Sequence, residues 1–407
     1  MSFKPPKGTY DLTSPQSQAW RDVLLVWEDM SAVFGYPLVA TPILEATELF
    51  ERGVGGTSEV VTKQMYTFSD KGGRSVTLRP EGTAGVVRAY LNSGAQGAWK
   101  GAYSGPFFRY ERPQAGRTRQ FWQVGAEYIG VEGAIADAEI IELGYRFITQ
   151  AGVDQVELRI NSIGDPECRP PYVTALRSYL EEIKGDLSGE SVGLIETNPL
   201  RILDSKTDRD RLGNPPRMID SLCADCAAHY EQVKAFLDSL GIPYVEDPRL
   251  VRGLDYYTRT AFEYIGTGLD SAQNAVGGGG RYDGLATTLG GPQTPGVGFA
   301  LGLDRILLAS GLDGYTHLDA YLVSEMGPEE AFLVASQLRA DGVRLDFDAE
   351  GRSVKAQFKT ARRLEAPVIL VYKGADLPID VQTADGRADV PIDQVAEHVM
   401  DYVLELL

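Results

Sequence analysis

Cysteine and histidine are scarce in this 407-residue sequence, three of each, and positive charge is in deficit. The 39 lysines and arginines against 57 aspartates and glutamates leave a formal net charge of −18. Three cysteines make no disulfide framework, and their number points to a reducing compartment. The acidic balance argues against a protein held on nucleic acid by bulk phosphate neutralisation. Any RNA it binds must meet local basic patches and complementary shape, with modest and salt-sensitive affinity. No apolar run reaches the roughly 18 residues of a membrane span. The stretch Met1 to Asp11 is polar, carries two prolines and a glycine, and does not read as a signal peptide. A cytoplasmic protein without membrane contact is expected. Low-complexity tracts and fixed-period repeats are absent. So are a GxxxxGK[ST] loop and a GxGxxG in a strand–helix setting, so neither a P-loop nor a Rossmann nucleotide site is expected.

What is present is ordinary globular composition, 43% hydrophobic and 24% charged, in a chain long enough for two or three cores. Apolar spacing predicts a helix over 17–34, then an extended, proline-marked segment 36–42. Strands 64–69 and 74–79 form a hairpin across Lys71-Gly72-Gly73, and Thr83 is placed as N-cap of a helix running to about Leu91. Strands 105–111 and 120–130 flank a basic loop, Arg112 to Arg119. A helix follows near 135–150 and a strand at 155–161. The stretch 166–245 reads as mixed helix and loop, inserted between two halves of a largely antiparallel sheet that resumes with strands at 255–265 and 296–301 and a helix at 303–310. Gly311 to Leu318 reads as a linker. Beyond it, strands at 319–324, 343–347 and 367–372 alternate with helices at 328–341 and 352–365, and a hairpin and a helix at 394–406 close a separate α/β domain. The expected division is 1–165 and 249–312 for the two parts of the core, 166–248 for the insertion and 317–407 for the α/β domain.

The hairpin 105–130 is the most informative stretch. Side chains alternate along a strand, so Phe107, Arg109 and Glu111 share a face, as do Phe121, Gln123, Gly125 and Glu127. The opposite face, with Val124 and Ala126, is apolar. Two readings of the polar face stand open: a floor of convergent groups under a small charged ligand, or a solvated edge. The arginines of the adjoining loop suit phosphate oxygens, and they equally suit solvent. Arg252 and Gly253 lead into a strand that opens on Tyr256 and Tyr257, as a flat ligand wall or as sheet packing. Gly277 to Gly280 permit close approach of a ligand or another chain.

These residues carry a family resemblance. Phe108-Arg109-Tyr110-Glu111-Arg112-Pro113, continuing to Glu127, resembles motif 2 of the class II aminoacyl-tRNA synthetases. Gly296 through Ile306 resembles motif 3, and Pro42 resembles the motif 1 proline. Arg252-Gly253-Leu254-Asp255-Tyr256-Tyr257 and Gly278 through Leu285 are similar to peptides of the histidyl-tRNA synthetases, and Leu78 through Thr83 and Pro6 through Thr9 also fit. The resemblance implies an α+β fold: a class II antiparallel-sheet catalytic domain with a helical insertion, plus a C-terminal α/β anticodon-binding domain. It implies a homodimer that activates L-histidine with ATP and Mg²⁺ and transfers it to the 3′ end of tRNA(His).

The resemblance also distributes roles. Glu81, Gly82, Thr83 and Gln123 would surround the α-amino group of histidine, with Glu127 and Tyr257 on the imidazole nitrogens and Tyr256 beside them. Arg109 and Arg252 would bracket the α-phosphate and the attacking carboxylate. Phe121 would stack on adenine and Glu111 read its amino group, with Arg117 and Arg305 facing the outer phosphates. In the C-terminal domain Arg352, Lys355, Lys359 and Arg362 recur at helical spacing as a candidate tRNA stripe, or as a solvated face.

Two features depart from the pattern. Cys168, Cys223, Cys226 and His229 are the ligand types of a Cys₃His zinc site. Cys168 stands more than fifty residues upstream, however, and the second half lacks paired spacing, so the reading weighs against zinc and requires no metal. From residue 315 onward there are nine basic against seventeen acidic side chains, which speaks against a strongly held anticodon. Two rivals follow: a catalytically silent regulatory paralogue, and a histidine-activating enzyme with an acceptor other than tRNA.

Overall fold

The computed structural model describes residues 3–56, 58–253, 256–266, 274–312, 314 and 318–406. The chain divides into two compact units, Met1–Asp11 with Trp20–Leu312, and Leu12–Ala19 with Asp313–Leu407. Among the described residues the strands form three sheets.

In the first unit a small antiparallel sheet joins β1 (Leu44–Ala46), β2 (Tyr66–Ser69) and β3 (Ser75–Leu78) in the order β1-β3-β2. The large sheet contains β4 (Trp99–Phe108), β5 (Gln120–Ile129), β6 (Val156–Ser162), β7 (Tyr244–Glu246), β8 (Thr258–Gly266), β9 (Ala275–Arg281) and β10 (Gly296–Gly302). Their order is β4-β5-β10-β9-β8-β6-β7, antiparallel except for the β6–β7 pair. Helices Gln16–Val33, Ala134–Gln150 and Ala224–Leu240 cover one face, because the inward alternation of β5 and β10 (Val124, Ala126, Val297, Phe299, Leu301) is apolar. Trp27 meets Phe147 and Phe299 edge-on at 5.1 and 5.9 Å, and burying each such ring contributes about 2–3 kcal/mol. The opposite face of the same strands is left for chemistry.

The structure corrects several expectations. The strand expected at 105–111 is Trp99–Phe108. Small residues at Gly101, Ala102, Ser104 and Gly105 weaken the strand signal, yet Gly105 must be small: a β-carbon there would overlap the Arg79 guanidinium. After Phe108 the chain leaves β5, and the Tyr110 N–H donates to Gln64 O at 2.7 Å. Thr83 is no N-cap. It is the first residue of helix Thr83–Ser93, and the free N–H groups of Thr83 and Ala84 are taken by the Glu81 carboxylate at 2.8 and 3.1 Å. The glycine run is a central strand, β9, packed between β8 and β10. β-Carbons at Gly277, Gly278 and Gly279 would overlap carbonyls of the neighbouring strands, so the glycines serve close strand approach within the chain, and Gly277 and Gly278 also line a cavity. Tyr256 and Tyr257 precede β8 and do not open it; Leu254 and Asp255 of that peptide lie outside the described residues. The stretch 166–245, read as helix and loop, also delivers β7 at its end.

The second unit carries β11 (Ala320–Ser324), β12 (Leu345–Phe347), β13 (Val368–Tyr372), β14 (Ile379–Gln382) and β15 (Arg387–Val390) in the order β12-β11-β13-β14-β15. The first three are parallel and the rest antiparallel. Helices Pro328–Ala340 and Val395–Glu405 bury Val334, Leu338, Val395 and Val399 against Leu322, Leu370 and Val381. The expected helix 352–365 runs Val354–Arg363, leaving Arg352 outside it. Of the expected linker Gly311 to Leu318, positions 313 and 315–317 lie outside the described residues.

Candidate active site

A cavity of about 210 Å³ opens on the uncovered face of the large sheet. Its floor is β5, β9 and β10; one wall is the Glu81–Thr83 turn that starts a helix, another the loop 109–118, and a third is made by Arg252, Tyr256 and Tyr257 with Glu263 of β8. The cavity gathers Glu81, Gly82, Thr83, Arg109, Glu111, Arg117, Phe121, Gln123, Arg252, Tyr256, Tyr257 and Arg305. Long-range strand pairing brings these residues, spread over more than 200 positions, around one volume.

Each guanidinium is held by its side or one edge. Arg109 donates through Nε to Pro80 O at 2.8 Å and lies over the Phe121 ring, 5.5 Å from its centroid. Arg117 pairs with Glu111 at 3.0 Å. Arg305 donates to Gly116 O and Ala275 O at 3.2 and 2.6 Å. Arg252 pairs with Glu263 at 3.1 Å and sits 5.8 Å from the Tyr257 ring centroid. Burial among one another's charges lowers the pKa of Arg109 and Arg305, burial being the larger cause in each. Two buried polar atoms in the lining, Gln123 Oε1 and Arg252 Nε, have no hydrogen-bond partner among the described residues. A buried polar atom left unmade costs about 1–3 kcal/mol, so such atoms in a cavity wall are suited to a polar ligand.

Glu127 lies beneath the cavity and does not line it. Its carboxylate is fully buried and accepts from Thr83 Oγ1 at 2.7 Å, Tyr282 OH at 2.5 Å and Tyr103 OH at 3.4 Å. Burial pushes its pKa up to about 8 against those hydrogen bonds. Burial likewise raises Glu81 to about 7, opposed by the Ala84 and Thr83 amides and by Arg109. Gly125, between Gln123 and Glu127 on the polar face, makes room for a ring: a β-carbon there would overlap Tyr103, and one on Gly298 would overlap the Glu127 carboxylate. Tyr103, Tyr282 and Glu263 escaped the sequence reading. Tyr282 stands in the Arg281-Tyr282-Asp283 segment already singled out, and the period-2 alternation of β8 could have placed Glu263.

Outside the cavity, His229 does not join the cysteines. Its Nε2 lies 3.2 Å from Asp137 Oδ1, in a buried cluster with Arg281. Cys168, Cys223 and Cys226 do come together, with Asp165 as the fourth member. In the second unit Arg352 lies before the helix and pairs with Asp348 and Glu350. Lys355, Lys359 and Arg362 remain exposed on helix Val354–Arg363.

Comparison with known proteins gives a consistent result. The family model described as histidyl-tRNA synthetase matches residues 8–164 and 203–306. A histidine–tRNA ligase of Desulforudis audaxviator is 47% identical over 91% of each chain, and one of Halothermothrix orenii is 45% identical over 93% of each. The crystal structure of apo S. aureus histidyl-tRNA synthetase, 37% identical, superposes with a TM-score of 0.78 over 98% of this chain and all of that one.

Proposed function

The chain belongs to the histidyl-tRNA synthetase family and ligates histidine to tRNA at the expense of ATP, and from that premise we propose how its residues divide the two steps. In the first step a carboxylate oxygen of histidine attacks the α-phosphorus of ATP, pyrophosphate leaves, and histidyl-adenylate forms. Arg109 and Arg252 bracket the α-phosphate and the attacking carboxylate, holding them in line and stabilising the charge that develops on the phosphorus oxygens. The observation that carries this assignment is the orphaned Arg252 Nε and Gln123 Oε1 in the lining of one cavity, a donor and an acceptor suited to a ligand bearing a carboxylate and an ammonium group.

Glu81, Thr83 and Gln123 receive the α-amino group. Tyr257, with Tyr256 beside it, and Glu127 take the two ring nitrogens. For Glu127 this requires an exchange, in which the imidazole N–H replaces one of its three hydroxyl donors. A site that leaves buried partners unpaired discriminates strongly against side chains unable to satisfy them. Phe121 offers a face to adenine, Glu111 accepts from its amino group, and Arg117 and Arg305 face the outer phosphates. Mg²⁺ bound with ATP would neutralise phosphate charge. The carboxylates beside the cavity arginines, Glu111 and Glu263, are already ion-paired, which fits an ion held mostly by phosphate and water.

In the second step the 3′ hydroxyl of the terminal ribose of tRNA(His) attacks the adenylate carbonyl, releasing AMP. Residues 1–165 and 249–312 form the catalytic domain, 166–248 the insertion, and 317–407 the anticodon-binding domain, with Lys355, Lys359 and Arg362 toward phosphate. We further propose a cytoplasmic homodimer, braced by the segment around Pro42; sedimentation of an active monomer would refute the dimer. Among the described residues no helix is long and apolar enough to cross a membrane. The decisive experiment is ATP–pyrophosphate exchange with each of the twenty amino acids, with tRNA charging in parallel. Exchange with histidine alone and charging of tRNA(His) are expected; exchange without charging would mean another acceptor, and no exchange would mean a silent paralogue.

A further inference from the structure

Three sulfurs and one carboxylate converge at the foot of the inserted segment, away from the active-site cavity. Asp165 follows β6 in the segment Ile163-Gly164-Asp165-Pro166, Cys168 immediately precedes helix Arg169–Glu182, Cys223 immediately precedes helix Ala224–Leu240, and Cys226 stands in its first turn. One ligand atom from each lies within 4.8 Å of every other. The Cys223 N–H donates to Cys168 Sγ at 3.0 Å, and Cys223 Sγ is 3.9 Å from Asp165 Oδ2. Cys168 and Cys226 are buried, and all three cysteines are free of disulfides.

We propose that Asp165, Cys168, Cys223 and Cys226 form a structural zinc site. Zinc takes four ligands tetrahedrally from thiolate, imidazole and carboxylate; with Zn–S near 2.3 Å the sulfurs stand about 3.8 Å apart, so donors already gathered this closely need only small adjustments. Both helix N-termini face the cluster: the Cys223 N–H donates to Cys168 Sγ, and the Cys168 N–H donates to Asp165 Oδ1 at 3.0 Å. Binding releases the three thiol protons and changes no oxidation state. Cys168 lies far from the other two cysteines in sequence, but the fold closes that gap, and Asp165 stands as fourth ligand in place of His229, which is held by Asp137.

The site has a mechanical consequence. The turn that supplies Asp165 and Cys168 also clasps the start of β8: Gly164 O accepts from Thr258 Oγ1 at 3.0 Å and from the Arg259 N–H at 2.7 Å, and Arg169 donates to Tyr257 O at 2.7 Å. A metal there bolts the inserted helices to the backbone that carries Tyr257.

The test is metal analysis of the full-length protein, produced with zinc supplied and purified under reducing conditions without chelator. About one zinc per chain is expected, falling several-fold in Cys226→Ser and in Asp165→Ala and staying whole in His229→Gln. Cobalt exchanged into the wild-type protein should give a thiolate-to-metal charge-transfer band, a readout that needs no variant. Wild-type protein with less than about a tenth of an equivalent, a cobalt protein lacking that band, or a Cys223–Cys226 disulfide in the reduced preparation would each overturn the proposal.

Discussion

Arg281 and Asp137, with His229 beside them, form one buried polar group in the first unit; Arg109, Arg252, Glu81 and Glu127 form another, and the two differ in how far they are satisfied from within. Arg281 is wholly buried, and each of its nitrogens has a partner: Nε and Nη2 on Asp137, Nη2 also on Gly133 O, and Nη1 on Val131 O and Asp283. Asp137 responds as a carboxylate with a matched cation should. Burial alone would raise its pKa, yet Arg281 and His229 together hold it down at about 2. In the cavity group burial prevails, so Glu81 and Glu127 rise, while Gln123 Oε1 and Arg252 Nε go without a partner. A charge completed by the protein is architecture. A charge left incomplete in a cavity wall costs stability and is retained where a ligand completes it.

The sharpest way to break this contrast is to remove one member from each group. Arg252→Ala is expected to slow adenylate formation by about 10³-fold or more, roughly 4 kcal/mol of transition-state stabilisation, with a smaller change in histidine affinity. Thermal stability should stay close to wild type. Pre-steady-state adenylate formation measures it, and a near-wild-type rate would take Arg252 out of the chemistry. Asp137→Ala should do the reverse. It strands Arg281 in the interior and should cost about 3–5 kcal/mol of folding stability in urea titration, with kcat little changed in the protein that remains folded. If Asp137→Ala were instead as stable as wild type, Arg281 would have to find another partner or water.

Glu127→Gln tests the incomplete side more gently. Its carboxylate stands at about 8 in the folded protein against an ordinary 4.5. Between those values the folded state holds a proton that the unfolded chain has released, so stability falls as pH rises through the window. The contribution is whole below about 4.5 and gone above about 8. The wild-type protein should lose stability over that window by up to about 1.4 kcal/mol per pH unit relative to Glu127→Gln, which has no proton to lose there. The same variant should weaken histidine binding by about 10–100-fold with little effect on ATP. Parallel stability curves for the two proteins would mean that Glu127 titrates normally.

Which of these features could be read from the sequence follows from the range of the interactions involved. The polar alternation of Phe121, Gln123 and Glu127 is local, and so was legible; the apolar face of Val124 and Ala126 does pack on the helices. That Glu127 sits under the floor was not legible, because its depth is set by Tyr103 and Tyr282, distant in sequence and joined to it only by sheet pairing. β9 was missed for a related reason: four glycines oppose strand propensity, and their use, close approach of β8 and β10, appears only once the neighbours are in place. Thr83 failed as a cap because two residues competed for the role. Glu81 reaches the helix amides, which frees the threonine hydroxyl for Glu127.

The smallest expected effect extends the same contrast to the second unit. Arg352 resembles Arg281 in being matched by neighbours, through Asp348 and Glu350. Among the described residues Lys355, Lys359 and Arg362 have no ion pair, and they share one exposed side of helix Val354–Arg363. If an unmatched charge marks a ligand face here too, Lys359→Ala should raise the KM for tRNA a few-fold, leave pyrophosphate exchange untouched, and reduce the salt dependence of charging by about one counterion. Arg352→Ala should leave the tRNA KM near wild type, since that guanidinium is already engaged. No effect from Lys359→Ala would make this helix a solvated face, and equal effects of the two substitutions would return Arg352 to the stripe. The rule that incompleteness marks function would then hold only where burial makes an unmatched group costly.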